Sequence, residues 1–185
     1  MNGKFLLPWR RLAPLAALLL ASLALPAHSA LNAYLTLTAN GASIQGGTTQ
    51  KGREGSITVI AFSQEVQNPA ETNAGKSKLG VITFRKEVDK SSPLLVKALF
   101  QNETIEGTFK FWTPQIRATS GVGAEVQFYT IQGKQGHIVS IKTVQENNKN
   151  PELMRYAEYE DVTVRFDAVS WTYTDGGITH EEKRG

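Results

Sequence analysis

Cysteine is absent from all 185 residues. That excludes disulfides, thiolate metal ligands and thiol nucleophiles, so stability has to come from packing or assembly. Histidine is scarce: only His28, His137 and His180 occur. His137 follows a glycine, and His180 lies beyond the last expected strand. Neither sits in a triad or a zinc motif, and both read as loop histidines. An excess of one charge is missing too. The formal net charge is +3, and Lys4, Arg10 and Arg11 carry all of it. Taking those three from the 20 basic residues leaves 17 against 17 acidic ones. A balanced chain makes no electrostatic case for nucleic acid or for an anionic membrane. Long apolar runs are also wanting. The longest, Leu12 to Leu25, is broken by Pro14 and Ser22, and it falls short of the ~20 residues a membrane-spanning helix needs.

What is present at the N-terminus is a targeting pattern. Lys4, Arg10 and Arg11 form a basic region, the apolar run follows, and Pro26-Ala27-His28-Ser29-Ala30 is rich in small residues. This is the layout of a secretory signal peptide. Cleavage is expected after Ala30, with Ala27 as the alternative; an uncleaved anchor and a misassigned start are the competing readings. Residues 1–30 are then the signal peptide and residues 31–185 one domain, secreted or periplasmic.

The rest of the chain reads as β-rich. Ala33–Thr38 is an expected strand. A second lies within Glu54–Val66, and a third spans Leu79–Val88 with Ile82, Phe84 and Val88 on one face. One helix is expected, with Ser92 as N-cap and Pro93 in the first helical position. Leu94, Leu95, Ala98 and Leu99 make its apolar stripe, with Lys97 off it. Ile105–Trp112 alternates cleanly. Val126–Ile131 and Ile138–Val144 read as a hairpin around Gln132-Gly133-Lys134-Gln135-Gly136. Glu152–Tyr159 is a helical turn or irregular. The last strand, Asp161 to Thr174, changes phase: Val162, Val164, Phe166 and Ala168 are apolar at even positions, Val169, Trp171 and Tyr173 at odd ones. Either a bulge near Ala168 swaps the faces, or both faces are covered in the second half, one by the core and one by a partner chain. Seven strands and one helix predict a β-barrel or sandwich with a single helix against it. Asn68–Lys78 and Gly121-Val122-Gly123 are expected loops.

No catalytic, cofactor-binding or metal-ligating residue emerges. Glu158, Glu160 and Asp161, or Glu181 and Glu182, could pair for glycoside hydrolysis. They read instead as solvated charge at strand ends. Asn73-Ala74-Gly75-Lys76-Ser77 lacks the leading glycine and the following helix of a phosphate loop. Asn102-Glu103-Thr104 matches a glycosylation sequon. Phe111, Trp112 and Trp171 could form a sugar-binding surface, but in strands they read as core or interface. The chain is therefore read as a non-enzyme without a cofactor.

Three segments together resemble the Hcp (haemolysin-coregulated protein) family of type VI secretion systems. They are Arg53-Glu54-Gly55-Ser56-Ile57, Phe84-Arg85-Lys86-Glu87-Val88-Asp89-Lys90-Ser91-Ser92-Pro93-Leu94, and Val169-Ser170-Trp171-Thr172-Tyr173-Thr174-Asp175-Gly176-Gly177-Ile178-Thr179-His180. They occur in the family's order at similar spacing. The resemblance implies a small β-barrel of two antiparallel sheets with one α-helix packed alongside. It implies homohexameric rings that stack into a tube carrying small effectors, with the spike and sheath proteins as further partners, and a Gram-negative source. It implies no nucleic acid and no membrane for the mature form. The loop Asn68–Lys78 would contact neighbouring rings or subunits. Trp171 and Tyr173 are then expected to pack rather than bind a ligand. Two features depart from the family: the signal peptide, and a C-terminus (Glu181-Glu182-Lys183-Arg184-Gly185) without an aromatic tail. They keep open an exported binding or adaptor module on the same fold.

Overall fold

A computed structural model of the chain describes residues 32–67, 78–114 and 125–184. The expected signal peptide, the Asn68–Lys78 loop up to its last residue, the Asn73–Ser77 segment and the Gly121-Val122-Gly123 loop lie outside them. Among the described residues the elements are β1 (Ala33–Ala39), β2 (Ala42–Ile44), β3 (Ile57–Val59), β4 (Ala61–Gln67), β5 (Lys78–Glu87), α1 (Ser92–Phe100), β6 (Ile105–Pro114), β7 (Glu125–Val144), β8 (Tyr159–Tyr173) and β9 (Ile178–Lys183). No described helix is long and apolar enough to cross a membrane.

All pairings are antiparallel, in the order β2-β1-β6-β7-β8-β5-β4, with β3 on β1 and β9 on β8. The expected barrel of two sheets is corrected here: the path is one sheet, and it is open. The cause is the length of its central strands. β7 and β8 stay paired from Tyr129 opposite Tyr173 to Val144 opposite Tyr159, so both halves share one ladder. The sheet still curls over a single core. Phe62 of β4 meets Phe109 and Phe111 of β6 edge-on at 5.0 and 5.1 Å, although four places separate these strands in the sheet. Only Ile60 lies between β3, paired with β1, and β4, paired with β5; its N–H donates to the Arg85 carbonyl at 2.9 Å. Leu35, Ile57, Phe84, Leu95, Ile105, Phe109, Val162, Val164 and Phe166 are core residues.

The expected hairpin around Gln132–Gly136 is a second correction, because β7 runs straight through it. The two glycines that read as turn formers serve close approach instead. Gly136 lies opposite Phe166 and Gly133 opposite Val169, and a Cβ on either glycine would run into the buried Phe166 ring. The glycines clear a bed for that ring. The bulge expected near Ala168 is a third correction. The β7–β8 register is unbroken from Tyr173 to Val164, and the shift lies in β7 between Ile138 and Ser140. At the phase change Ala168 and Val169 are both buried, on opposite faces, while beyond it Trp171 is partly covered and Tyr173 is exposed within the single chain.

Two further strands went unforeseen. β2 pairs back onto β1 after the Asn40-Gly41 turn, where both residues have positive φ, and β9 pairs back onto β8 after Gly176 and Gly177, which also do. The expected strand within Glu54–Val66 is split at Ile60. In the helix, Ser91 rather than Ser92 is the N-cap, with Pro93 in the first turn. Leu95 and Ala98 are buried and Leu99 packs against the core, but Leu94 faces outward.

Gly133→Ala is expected to lower stability by about 1–3 kcal/mol through overpacking. Combined with Phe166→Leu, it should cost less than the two single losses added together. Urea midpoints of the three variants check this, and full additivity would contradict the shared bed.

Candidate assembly surfaces

Each of the three segments that resembled the family forms a side-chain clamp, the first two largely buried and the third at the surface. In the first, Arg53 precedes β3 and lies flat between two rings. Its guanidinium carbon is 3.6 Å from the centre of Trp112 and 4.6 Å from that of Tyr34, and a nitrogen reaches Glu125 at 2.6 Å. A planar, weakly hydrated cation suits such a slot; lysine would not. The Ser56 hydroxyl donates to the Arg53 carbonyl at 2.6 Å and turns the chain into β3.

The second motif is the densest. Lys86 of β5 is 0% exposed, and its ammonium donates to Glu160 of β8 at 3.1 Å, to Asp89 at 2.9 Å and to the Ser92 hydroxyl at 2.9 Å. The three N–H bonds of an ammonium are thereby matched. Asp89 also accepts from the Gly47 N–H at 2.6 Å and from the Ser91 N–H at 2.9 Å. Burial works to raise the Asp89 carboxyl. The Ser91 hydroxyl, Lys86 and the two N–H groups outweigh it and hold the group below its ordinary value. One cluster therefore ties together β5, β8, the start of α1 and the loop before β3. On the other side of the strand pair, Arg85 makes a two-pronged bond to Asp161 at 2.7 and 2.9 Å and lies 4.0 Å over the Tyr159 ring. The bond to Arg85 holds the Asp161 carboxyl below its ordinary value.

The third motif locks β9 onto β8. Trp171 stacks on His180 with 6.0 Å between ring centres, and its indole N–H donates to Gln64 of β4 at 2.8 Å. The Thr172 and Thr179 hydroxyls bond at 3.0 Å. Trp171 packs as expected, though only partly buried, whereas Tyr173 is largely exposed, which corrects its expected packing.

The remaining sequence candidates do not converge. Glu160 is spent on Lys86 and Asp161 on Arg85, while Glu158 accepts from Gln145 at the surface. Glu181 and Glu182 lie on exposed β9. His137 is in β7 opposite Arg165, with a buried Nδ1 that has no partner among the described residues, so it is a strand residue and not a loop one. His180 is likewise in a strand, 3.8 Å from Glu182. Phe111 joins the core stack, Trp112 lies under Arg53 and Trp171 is on β8, so the three aromatics form no common surface. In the sequon, Asn102 has positive φ, Glu103 is buried against Lys97, and the Thr104 N–H binds Asn40. No group of three or more metal-ligating side chains occurs among the described residues. Sequence reading missed the unspent surface: Phe100 at the end of α1, and Ile60, Val88, Met154 and Tyr156, are apolar and exposed. Phe100 falling off the Leu95/Ala98 stripe was the signal for it.

Ion pairs that stitch strands together, with apolar side chains left on the outside, describe a structural β-sheet domain. The comparisons narrow that class. The family model described as "Type VI secretion system effector, Hcp" matches residues 34–173, and the chain belongs to this family. Among solved structures, the Hcp1 protein of the E. coli EAEC 042 pathovar is similar at 29% identity, with a TM-score of 0.70 over 83% of this chain and 99% of that one. A crystal structure titled Hcp protein aligns at 18% identity, TM-score 0.73, over 83% of this chain and 98% of its own. The secreted protein Hcp3 from Pseudomonas aeruginosa aligns at 23% identity, TM-score 0.67, over 84% and 99%. These last two show the shared fold. No curated protein gives a significant match. The chain is thus a type VI secretion protein of the Hcp family, and each of the three segments that carried the resemblance contributes to one of these clamps.

Glu160→Ala leaves Lys86 buried with one carboxylate fewer and is expected to cost about 3–5 kcal/mol. Lys86→Met with Glu160→Leu should cost far less than either single change, read by urea denaturation. Asp161 makes a different prediction. Its folded value is depressed below the ordinary 3.8, so its stabilising share is complete above that pH and disappears as pH falls below it. Asp161→Asn should therefore lower stability at pH 7 and flatten the loss of stability that sets in as pH falls below about 4. Equal slopes in variant and parent would contradict this.

Proposed function

We propose that this protein is a ring-forming component of a type VI secretion tube. Copies of residues 31–185 join as a homohexamer, rings stack, and the lumen carries small effector proteins. The spike and sheath are the further partners, and the Asn68–Lys78 loop meets neighbouring rings or subunits. The role is structural, without a catalytic site. The single observation that carries this reading is the family match across residues 34–173, which spans every clamp described above except the one formed with β9. The ion-paired core supports it by giving a rigid unit, and the exposed apolar side chains support it by giving that unit something to join with.

A second reading is favoured by residues 1–30. Basic Lys4, Arg10 and Arg11 followed by the Leu12–Leu25 run would direct the chain through the general secretory route. The product would then be an exported binding or adaptor module of the same fold, periplasmic or extracellular.

Sizing at high concentration together with electron micrographs tests the first reading. Hexameric rings are expected, and a clean monomer in both would sink it. Sequencing the N-terminus of the protein recovered from each cell fraction separates the two. A chain beginning at Leu31 in the periplasm, with type VI secretion unimpaired by its deletion, selects the second.

A further inference from the structure

One cleft carries charge that no clamp uses. It has a volume of about 400 Å³ and lies on the Arg85 side of the β5–β8 pair. Strand register sets its floor. Glu87 lies opposite Tyr159 and Arg85 opposite Asp161, and alternate residues of a strand share a face. The rest of the lining comes from Ile60 and Ala61, where β3 gives way to β4, from Arg155, Tyr156 and Ala157 ahead of β8, and from Glu146 just past β7.

Both signs of charge line this cleft, two carboxylates against two guanidiniums. One of each is already spent. Arg85 is held by its two-pronged bond to Asp161, and Glu146 accepts from the Tyr159 hydroxyl at 2.9 Å. The other two are not. Glu87 forms no ion pair with a described residue. Neither does Arg155, whose one hydrogen bond among the described residues is to the Tyr156 hydroxyl at 3.3 Å. The cleft thus presents one unspent carboxylate and one unspent guanidinium beside an apolar and aromatic lining. Its size falls within the roughly 300–1,000 Å³ of small-molecule sites.

We propose that this cleft binds a small zwitterion, a free amino acid with an apolar side chain. Its ammonium pairs with Glu87, its carboxylate with Arg155, and its side chain packs against Ile60 and Tyr156. Three observations select that chemistry. The two unspent groups are of opposite sign, which suits a ligand that carries both charges. A simple anion would meet the carboxylates of Glu87 and Glu146, and a simple cation the guanidiniums of Arg85 and Arg155, so repulsion works against each. A guanidinium offers a carboxylate two parallel N–H donors, a match that an ammonium lacks. Glu87 and Arg155 are both exposed, so binding is expected to be weak, with a Kd on the order of 1 mM. The site needs one copy of the chain only and stands whether that chain joins a ring or acts alone.

Titration of isotope-labelled protein with L-leucine, L-methionine and L-phenylalanine, followed by NMR, tests this. Saturable shifts are expected at the amides of residues 85–88 and 155–159 with at least one of the three. Blocked forms of the amino acid that binds divide the recognition: the amide lacks the carboxylate, the N-acetyl form lacks the ammonium, and the N-acetyl amide lacks both. Each single block is expected to weaken binding about fivefold or more. Glu87→Gln and Arg155→Gln, both at exposed positions, should each weaken the free amino acid by a similar factor. Glu87→Gln should change binding of the N-acetyl form less than about twofold, and Arg155→Gln that of the amide likewise, because the group each would meet is already missing. No saturable shift with any of the three amino acids up to about 20 mM, well above the expected Kd, overturns the site. Equal binding of the N-acetyl amide and the free amino acid overturns the zwitterion, leaving an apolar cleft. Parent-like binding by both variants overturns the placement at Glu87 and Arg155.

Discussion

The buried ammonium of Lys86 is the constraint on which the rest depends. A lysine with no exposure is tolerated only when each of its protons has an acceptor. Here the acceptors come from three places: Glu160 on β8, Asp89 in the turn after β5, and Ser92 at the start of α1. Satisfying one charge therefore sets a strand register, a turn and a helix origin together. Ser92 cannot also cap the helix, because its hydroxyl is taken by Lys86 and by the Asp89 N–H. Asp89 in turn draws the Gly47 N–H inward and anchors the loop before β3. A charge network of this kind adds less net stability than an apolar core would. What it supplies is a single arrangement: β5 cannot slip against β8 without stranding a charge.

The second organiser is the packing of Phe166 over Gly133 and Gly136. It lets β7 and β8 run as one long antiparallel pair, and the other strands add to that pair in both directions. Once that ribbon exists, its twist curls the sheet and brings Phe62 against Phe109 and Phe111. The Trp171–Gln64 bond ties β8 to β4, and the Arg53 slot ties the segment before β3 to β1, β6 and β7. The helix then has one sheet face to cover. Its outer residues, Phe100 above all, are exposed.

Much of this was legible in residue patterns. The alternation of Ile105–Trp112 and Asp161–Thr174, and the Ser-Pro start before Leu94, located strands and helix correctly. The errors share a cause: they arose where a local signal had a tertiary use. Glycines in Gln132–Gly136 read as a turn because a turn is their commonest local meaning, yet their purpose was a phenylalanine some thirty residues away. The phase change at Ala168–Val169 suggested a bulge, but the strand is regular and buried on both faces there. His137 and His180 read as loop residues because β7's continuity and β9's pairing are not local properties. Of the surfaces, Phe100 was visible only as a residue off the helical stripe, and the Ile60–Tyr159 groove joins segments distant in sequence.

By itself the sequence determined composition, the absence of thiol chemistry, the balanced charge of residues 31–185 and the order of most β elements. These depend on residue identity and on neighbours a few positions apart. The tertiary structure alone decided that the ladder is one open sheet, that Lys86, Glu160 and Asp89 share a single charge network, and that Arg85 answers Asp161. The physical reason is that strand pairing and charge burial are settled between residues far apart in the chain. Coulombic and packing energies there depend on distances that no spacing along the sequence encodes.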